Sequence, residues 1–385
     1  MPRSVTLSLR ITLLVVAAAL LAPAAAPAAP RLAPEGFMGT MADGPLTGDD
    51  VDLGREVGLM RSCGVESLRI VIYWEDLQPY ASMADIPQDR RGDFREVEGV
   101  PTAFAATDRI VAAAAAVGLR VMPVILRAPA WDREVPSNQA SPPRGDAAYA
   151  RFLRTLIGRY GPRGSLWAER PGQTATPIRT WQVWNEPNID RYWSSPTPFG
   201  PRYAKLLRAA NTAIHAADPG ATVVMAGFAN DSWNAMTAAY RAGVRGHFDR
   251  AAVHPFSGRL ANVLKILRLN RQVMRRNGDG KVPIVVSELT WPSAKGKTKN
   301  TIGFETTPAG QAVRLRRAYL ALLRERRALG LQTVMWYTWL SADRDSPNSF
   351  SWSGLRRLGP LATDPPVSKP AYGAYCAIAR RVQGR

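Results

Sequence analysis

Eight short apolar runs punctuate the chain: Gly36–Thr40, Ser67–Tyr73, Arg120–Leu126, Arg179–Asn185, Thr222–Gly227, Asp249–His254, Val282–Glu288 and Thr333–Trp339. Between and after them lie segments whose apolar residues recur with helical spacing: Asp50–Cys63, Pro101–Val117, Asp146–Tyr160, Pro201–Ala217, Ser232–Arg241, Leu260–Arg276, Pro308–Leu329 and Pro370–Arg380. Several of these open on Asp, Ser or Pro, and Gly118, Gly220 and Gly330 fall where a helix should stop. The run Val121-Met122-Pro123-Val124-Ile125-Leu126 has no polar face, as a parallel strand covered by helices requires.

Eight strands alternating with eight helices predict an α/β fold, a single (β/α)₈ TIM barrel, for which about 250 residues is typical. The 385-residue chain leaves the rest for a leader and for long loops, around Gln78–Val100, Asn188–Gly200, Trp291–Pro308 and Ser341–Ser368. These follow the second, fourth, seventh and eighth strands, so all are expected on the C-terminal face, where barrel sites are built. No second domain boundary and no internal repeat is found, so residues 36–385 are expected to form one domain.

Residues 1–28 read as a secretory signal peptide: Arg3 and Arg10, an apolar run from Ile11 to Ala22, then Ala26-Pro27-Ala28. The run is short for a membrane span, and an uncleaved N-terminal anchor is the alternative. The expected location is therefore extracellular or at the cell wall. Residues 29–35 are a Pro/Ala-rich junction, and Pro23–Pro34 is expected to be a disordered entry to the fold. The net charge of +19 would attract an acidic polymer, although the basic residues are dispersed as on ordinary solvated helix faces. No zinc-finger spacing, RNA-binding aromatic motif or heptad repeat points to nucleic acid or to a coiled coil. A monomer is expected, without stable membrane insertion.

Two cysteines, Cys63 and Cys376, cannot form a four-ligand zinc site, and with three histidines in the chain no metal and no cofactor is expected. If the first and last helices flank the closure of the barrel, the two cysteines become neighbours; a disulfide and two separate buried thiols are both open.

Candidate chemistry lies at the strand ends. Trp181-Gln182-Val183-Trp184 finishes in Asn185-Glu186-Pro187, and Pro283-Ile284-Val285-Val286 finishes in Ser287-Glu288. Parallel barrel strands deliver their last residues to one pocket, so Glu186 and Glu288 are expected to face each other there. Opposed carboxylates are the minimal equipment for cleaving a glycosidic bond, one donating a proton and the other attacking or activating water. Pleat alternation, however, puts Asn185 and Glu186 on opposite faces unless the strand opens at its end. Trp74, Trp131, Trp193, Trp233, Trp291 and Trp336 lie at or just beyond strand ends, where indole faces could stack on sugar rings; loop-anchoring packing is the alternative. Trp336, Trp291 and Trp131 are taken as candidate substrate contacts, as is Tyr337. His254, a strand-final imidazole, is a further candidate.

With these residues the chain resembles the clan A glycoside hydrolases, most closely the family 39 (β-xylosidase-like) and family 5 (cellulase-like) groups. The resemblance rests on Asn185-Glu186-Pro187, Ser287-Glu288, Arg69, His254-Pro255, Trp336 and the closing Gly354-Leu355 and Lys369-Pro370-Ala371-Tyr372. It implies a retaining mechanism with Glu186 as general acid/base and Glu288 as nucleophile, Asn185 on the sugar 2-hydroxyl, and Arg69 and His254 orienting the carboxylates. Arg69 would favour the charged form of Glu288, and Trp184 would give Glu186 apolar surroundings. Many relatives carry a tyrosine where this chain has Phe256; if that hydroxyl helps hold the nucleophile, another donor such as Tyr337 or Tyr73 must replace it, or the site is weakened. A transglycosylase and a catalytically impaired glycan-binding barrel are the alternatives. The absence of H-E-x-x-H and G-x-S-x-G patterns argues against metallo- and serine hydrolases.

Overall fold

The structure is a computed structural model that describes Met1 and residues 30–344, 346–361 and 363–385. The leader 1–28 falls, apart from Met1, outside the described residues. Eight parallel strands close into a barrel: β1 Met38–Ala42, β2 Ser67–Tyr73, β3 Arg120–Leu126, β4 Thr180–Val183, β5 Thr222–Phe228, β6 Arg250–Val253, β7 Ile284–Leu289 and β8 Leu331–Trp336. The ring closes where β1 pairs with β8 through Met38 and Val334. The surrounding helices are α1 Leu53–Cys63, α2 Ala105–Ala116, α3 Asp146–Tyr160, α4 Phe199–Ala217, α5 Ser232–Arg241, α6 Leu260–Arg276, α7 Pro308–Leu329 and α8 Pro370–Gln383. The fold is the (β/α)₈ barrel that the alternation predicts.

Local chemistry sets the helix ends. Asp52 caps α1 by accepting from Arg55 N, and Thr307 caps α7 by accepting from Gly310 N, with Pro308 in the first turn. Gly64 and Gly330 close the same helices in the left-handed conformation, at φ 92° and 62°. One expected helix start is corrected. Val100–Thr102 is not helical but pairs antiparallel with Arg95–Val97, turned by Glu98 and Gly99 at φ 49° and 78°, so α2 begins only at Ala105.

Alternation along the strands sorts the barrel interior from the helical layer. Arg69, Val71 and Tyr73 of β2 and Val124 and Leu126 of β3 face the interior cavity, whereas Leu68, Ile70 and Ile72 pack into the main hydrophobic core. Below the cavity, Met122, Val224, Ala252, Val285 and Met335 form a separate apolar plug. Gly39 makes room for it, since a Cβ there would lie 2.8 Å from Met335 Cγ.

The chain ends are tied together. Cys63 of α1 and Cys376 of α8 form a disulfide across 313 residues of sequence. The described part of the junction is not a loose entry: Arg31 pairs with Glu66 at 2.6 Å, and Leu32 N donates to Val382 O at 2.9 Å. Among the described residues no helix is long and apolar enough to cross a membrane.

Candidate active site

Arg69 stands at the centre of the polar cluster, fully buried inside the barrel. Its Nε donates to Gln182 Oε1 at 2.8 Å, one terminal nitrogen to Asn185 Oδ1 at 2.8 Å, and the other to Glu288 Oε1 at 2.7 Å. One planar guanidinium therefore registers residues from β4, the turn after it, and β7. His254, which follows β6, holds the opposite side. Its Nδ1 lies 2.7 Å from Glu186 Oε1, and its Nε2 lies 2.9 Å from Ser287 Oγ and 3.7 Å from Glu288 Oε1. Glu186 and Glu288 thus meet at one end of the barrel, with ligand atoms of Glu186, His254 and Glu288 all within 4.8 Å of one another.

Three departures from regular strand geometry make this convergence possible. After Val183, Trp184 and Glu186 take left-handed backbone conformations at φ 67° and 42°, a region costly for side-chain-bearing residues. Trp184 N donates to Ile125 O and Glu186 N to Gly227 O, so the chain stays docked while the pleat is broken. That break brings Asn185 and Glu186 to one cavity, and the strand ends two residues earlier than its apolar pattern suggests. In β7 the register against β8 shifts between Val286 and Leu289, so Ser287 and Glu288 both turn toward the site. In β5 the register against β6 shifts between Met225 and Phe228, around Gly227. A Cβ on Gly227 would clash with the His254 ring, its Cε1 at 2.8 Å included.

The cavity has a volume of about 190 Å³ and draws on all eight strand ends, from Asp43 after β1 to Tyr337 after β8. Asp43 accepts from the Tyr337 hydroxyl at 2.6 Å. Burial first, then Asp43 and Glu288, push the Tyr337 hydroxyl well above its ordinary titration range. Burial first, then Glu186 and Glu288, push up Tyr192. Both phenols therefore stay protonated and can donate. Asp43 and Tyr192 were not legible as site residues, although Asp43 lies just beyond the first apolar run and Tyr192 lies six residues after Glu186 in a long loop. Gly227 and Gln182 carry no motif at all.

Several expected contacts are corrected. Trp291 and Trp336 are buried, and neither lines the cavity. They pack against each other with ring centres 6.4 Å apart, and Trp336 Nε1 donates to Ser353 O. Trp131 donates to Gln78 O and packs edge-on against Trp74, again away from the cavity. Trp184 likewise points into the helical layer, donating to Tyr192 O and packing against Trp193. The aromatic wall is built instead from Phe256 and Phe350, 5.3 Å apart, with Phe304 stacked behind Phe256 at 5.9 Å. Neither Tyr337 nor Tyr73 takes over a hydroxyl contact to Glu288: Tyr337 donates to Asp43, and Glu288 is held by Arg69. Asn185, Arg69, Glu186, Glu288 and Tyr337 all line the cavity, and His254 sits behind Glu186.

Glu186, His254 and Glu288 are close enough to gather round a metal ion. The Arg69 cation on Glu288 and the two hydrogen bonds of the imidazole already serve these groups, so the set does not resemble a vacant cation site.

No family model matches the chain, and no curated protein sequence matches it. Solved structures do match. A family 39 glycoside hydrolase from the gut symbiont Bacteroides cellulosilyticus WH2 aligns with TM-score 0.59 at 20% identity, over 90% of this chain and 64% of its own. A monomeric β-xylosidase from Caulobacter crescentus CB15 aligns with TM-score 0.58 at 17% identity, over 91% and 69%. A family 51 α-L-arabinofuranosidase from Bifidobacterium longum aligns with TM-score 0.60 at 12% identity, over 92% and 74%. The chain thus spans less than two thirds of the length of the first of these. What the chain shares with these structures is the fold, the closed (β/α)₈ barrel.

Proposed function

We propose that the protein is an exported retaining glycoside hydrolase, with Glu186 as general acid/base and Glu288 as nucleophile. The observation that carries this reading is the convergence of the two carboxylates from opposite sides of one cavity, each with its own dedicated partner. A retaining pair needs a separation of about 5–5.5 Å, whereas about 6.5–9.5 Å would leave room for a water and imply inversion. The close approach of the Glu186 and Glu288 oxygens, within 4.8 Å, supports the first case. In this reading Glu186 donates its proton to the leaving oxygen while Glu288 attacks the anomeric carbon. Glu186 then takes a proton from the water that releases the glycosyl group. Asn185, held by Arg69, and the phenol of Tyr192 supply hydrogen bonds to ring hydroxyls, while the Tyr337 oxygen, whose proton goes to Asp43, can accept one.

The likeness to structures described as β-xylosidase and α-L-arabinofuranosidase supports a carbohydrate substrate. The leader and the disulfide support export to an oxidising compartment. The test is to incubate the wild type and Glu288→Gln with a panel of neutral and acidic polysaccharides and oligosaccharides and to measure new reducing ends. Release by the wild type alone, with the variant folded, is the expected result; equal release by both refutes the assignment.

A further inference from the structure

We propose that the outer chamber of the site is an anion subsite, in which Arg127 and Arg191 receive a carboxylate or sulfate ester carried next to the reacting sugar. This rests on the glycoside hydrolase reading and specifies its substrate class as an acidic glycan. A second cavity of about 340 Å³ adjoins the catalytic one and shares Asp43, Tyr73, Arg191, Tyr192 and Tyr337 with it. Two guanidiniums line it, Arg127 and Arg191.

The placement of Arg127 is costly in backbone terms. It directly follows β3 with φ 61°, a left-handed conformation in a residue other than glycine, and its carbonyl is pinned by Glu75 N at 3.0 Å. Its side chain lies over the Tyr73 ring, 4.2 Å from the centroid, and both residues line the chamber. The carboxylate nearest to it is Glu75, 3.4 Å away. That carboxylate is shared with Arg133 and Gln139, so it does not neutralise both arginines. Arg191 is exposed, lies over the Tyr192 ring at 5.8 Å, and pairs with no carboxylate among the described residues. Asp43, the acidic residue lining the chamber, is occupied by Gly44 N and the Tyr337 hydroxyl.

The inner cavity has the opposite balance, with Asp43, Glu186 and Glu288 against Arg69 and the shared Arg191. An anionic substituent is therefore disfavoured on the ring being cleaved and favoured one unit away, where planar guanidiniums can bind it through charge-assisted hydrogen bonds.

The test is calorimetric binding of D-glucuronate, its methyl ester and D-glucose 6-sulfate to the wild type, Arg191→Gln and Arg127→Gln, at low and high salt. At least one anion is expected to bind tenfold or more tightly than the ester, to weaken at high salt, and to lose that preference in both variants. Preference for glucuronate assigns a carboxylate, and preference for the sulfate assigns a sulfate ester. Arg191 is exposed and unpaired among the described residues, so its variant reports binding without a folding defect; melting curves check Arg127→Gln. Equal affinity for acid and ester, no saturable binding of either anion, or anion binding untouched by both substitutions overturns the subsite. Arginine-dependent binding without cleavage of any glycan would leave the subsite standing and remove the hydrolase. Cleavage of neutral glycans without anion binding would do the reverse.

Discussion

The imidazole of His254 occupies the space that a side chain on Gly227 would need, and it can approach Glu186 only because that side chain is missing. Gly227→Ala should therefore push the ring off Glu186. Overpacking of this kind costs about 1–3 kcal/mol of stability, and misplacing a catalytic carboxyl by an ångström costs roughly a hundredfold in rate. A thermal melt and steady-state kinetics measure the two effects. A smaller rate loss on aryl glycosides with good leaving groups would show that the damage passes through Glu186 in its proposed acid/base role.

Arg69 joins Gln182, Asn185 and Glu288 through three separate nitrogens. Arg69→Met leaves Glu288 buried without its counter-charge and should destabilise the fold by about 3–5 kcal/mol, read by urea denaturation, with activity abolished. Arg69→Lys keeps the charge but not the fork, so stability should recover further than activity.

The product's anomeric configuration is a direct readout of carboxylate spacing. With the Glu186 and Glu288 oxygens within 4.8 Å, the first-formed sugar should retain the configuration of the substrate, as followed by proton NMR during early turnover. An inverted first product would exclude a covalent role for Glu288.

The Cys63–Cys376 bridge closes almost the whole chain into a loop. Chain-entropy reasoning gives it about 6 kcal/mol, just above the usual range of about 0–5 kcal/mol. Cys63→Ser with Cys376→Ser should lower the melting temperature and leave the proposed activity of the folded protein unchanged, because both cysteines lie away from the cavity.

Lys369 is buried where α8 begins, with its Nζ 2.9 Å from Asp343 Oδ2 and 2.8 Å from Trp352 O. Burial lowers its pKa from 10.5 to about 8, with Asp343 opposing the shift. Above about 8 the native state releases this proton while the unfolded chain still holds it. Stability should therefore rise with pH from about 8 to about 10.5, by at most about 3 kcal/mol. Lys369→Met should flatten that rise relative to wild type in denaturation curves taken across the window.

Much of the fold was legible in the chain because periodicity and caps are local. The boundaries of β2, β3, α3, α5, α6 and α7 follow directly from where apolar spacing starts and stops. The pairing of Cys63 with Cys376 was legible as one of two possibilities, since it depends only on how the ring closes. Glu186 and Glu288 were legible because a carboxyl at the end of a buried strand has no packing role. The tryptophans misled, because proximity in sequence to a strand end does not say whether an indole turns into the cavity or back into the helical layer. Trp291 and Trp336 turn back.

What the sequence determined by itself was the alternation of elements, and with it the barrel and the end of the barrel where chemistry could gather. Only the tertiary structure decided how that chemistry is assembled. The left-handed residues Trp184 and Glu186, the register shifts at Gly227 and in β7, and the capture of three partners by Arg69 each break or override the period of two that strand patterns are read by. Such irregularities are offset by contacts between residues more than sixty positions apart, such as Glu186 with His254 and Arg69 with Glu288, so no local reading of the chain could have supplied them.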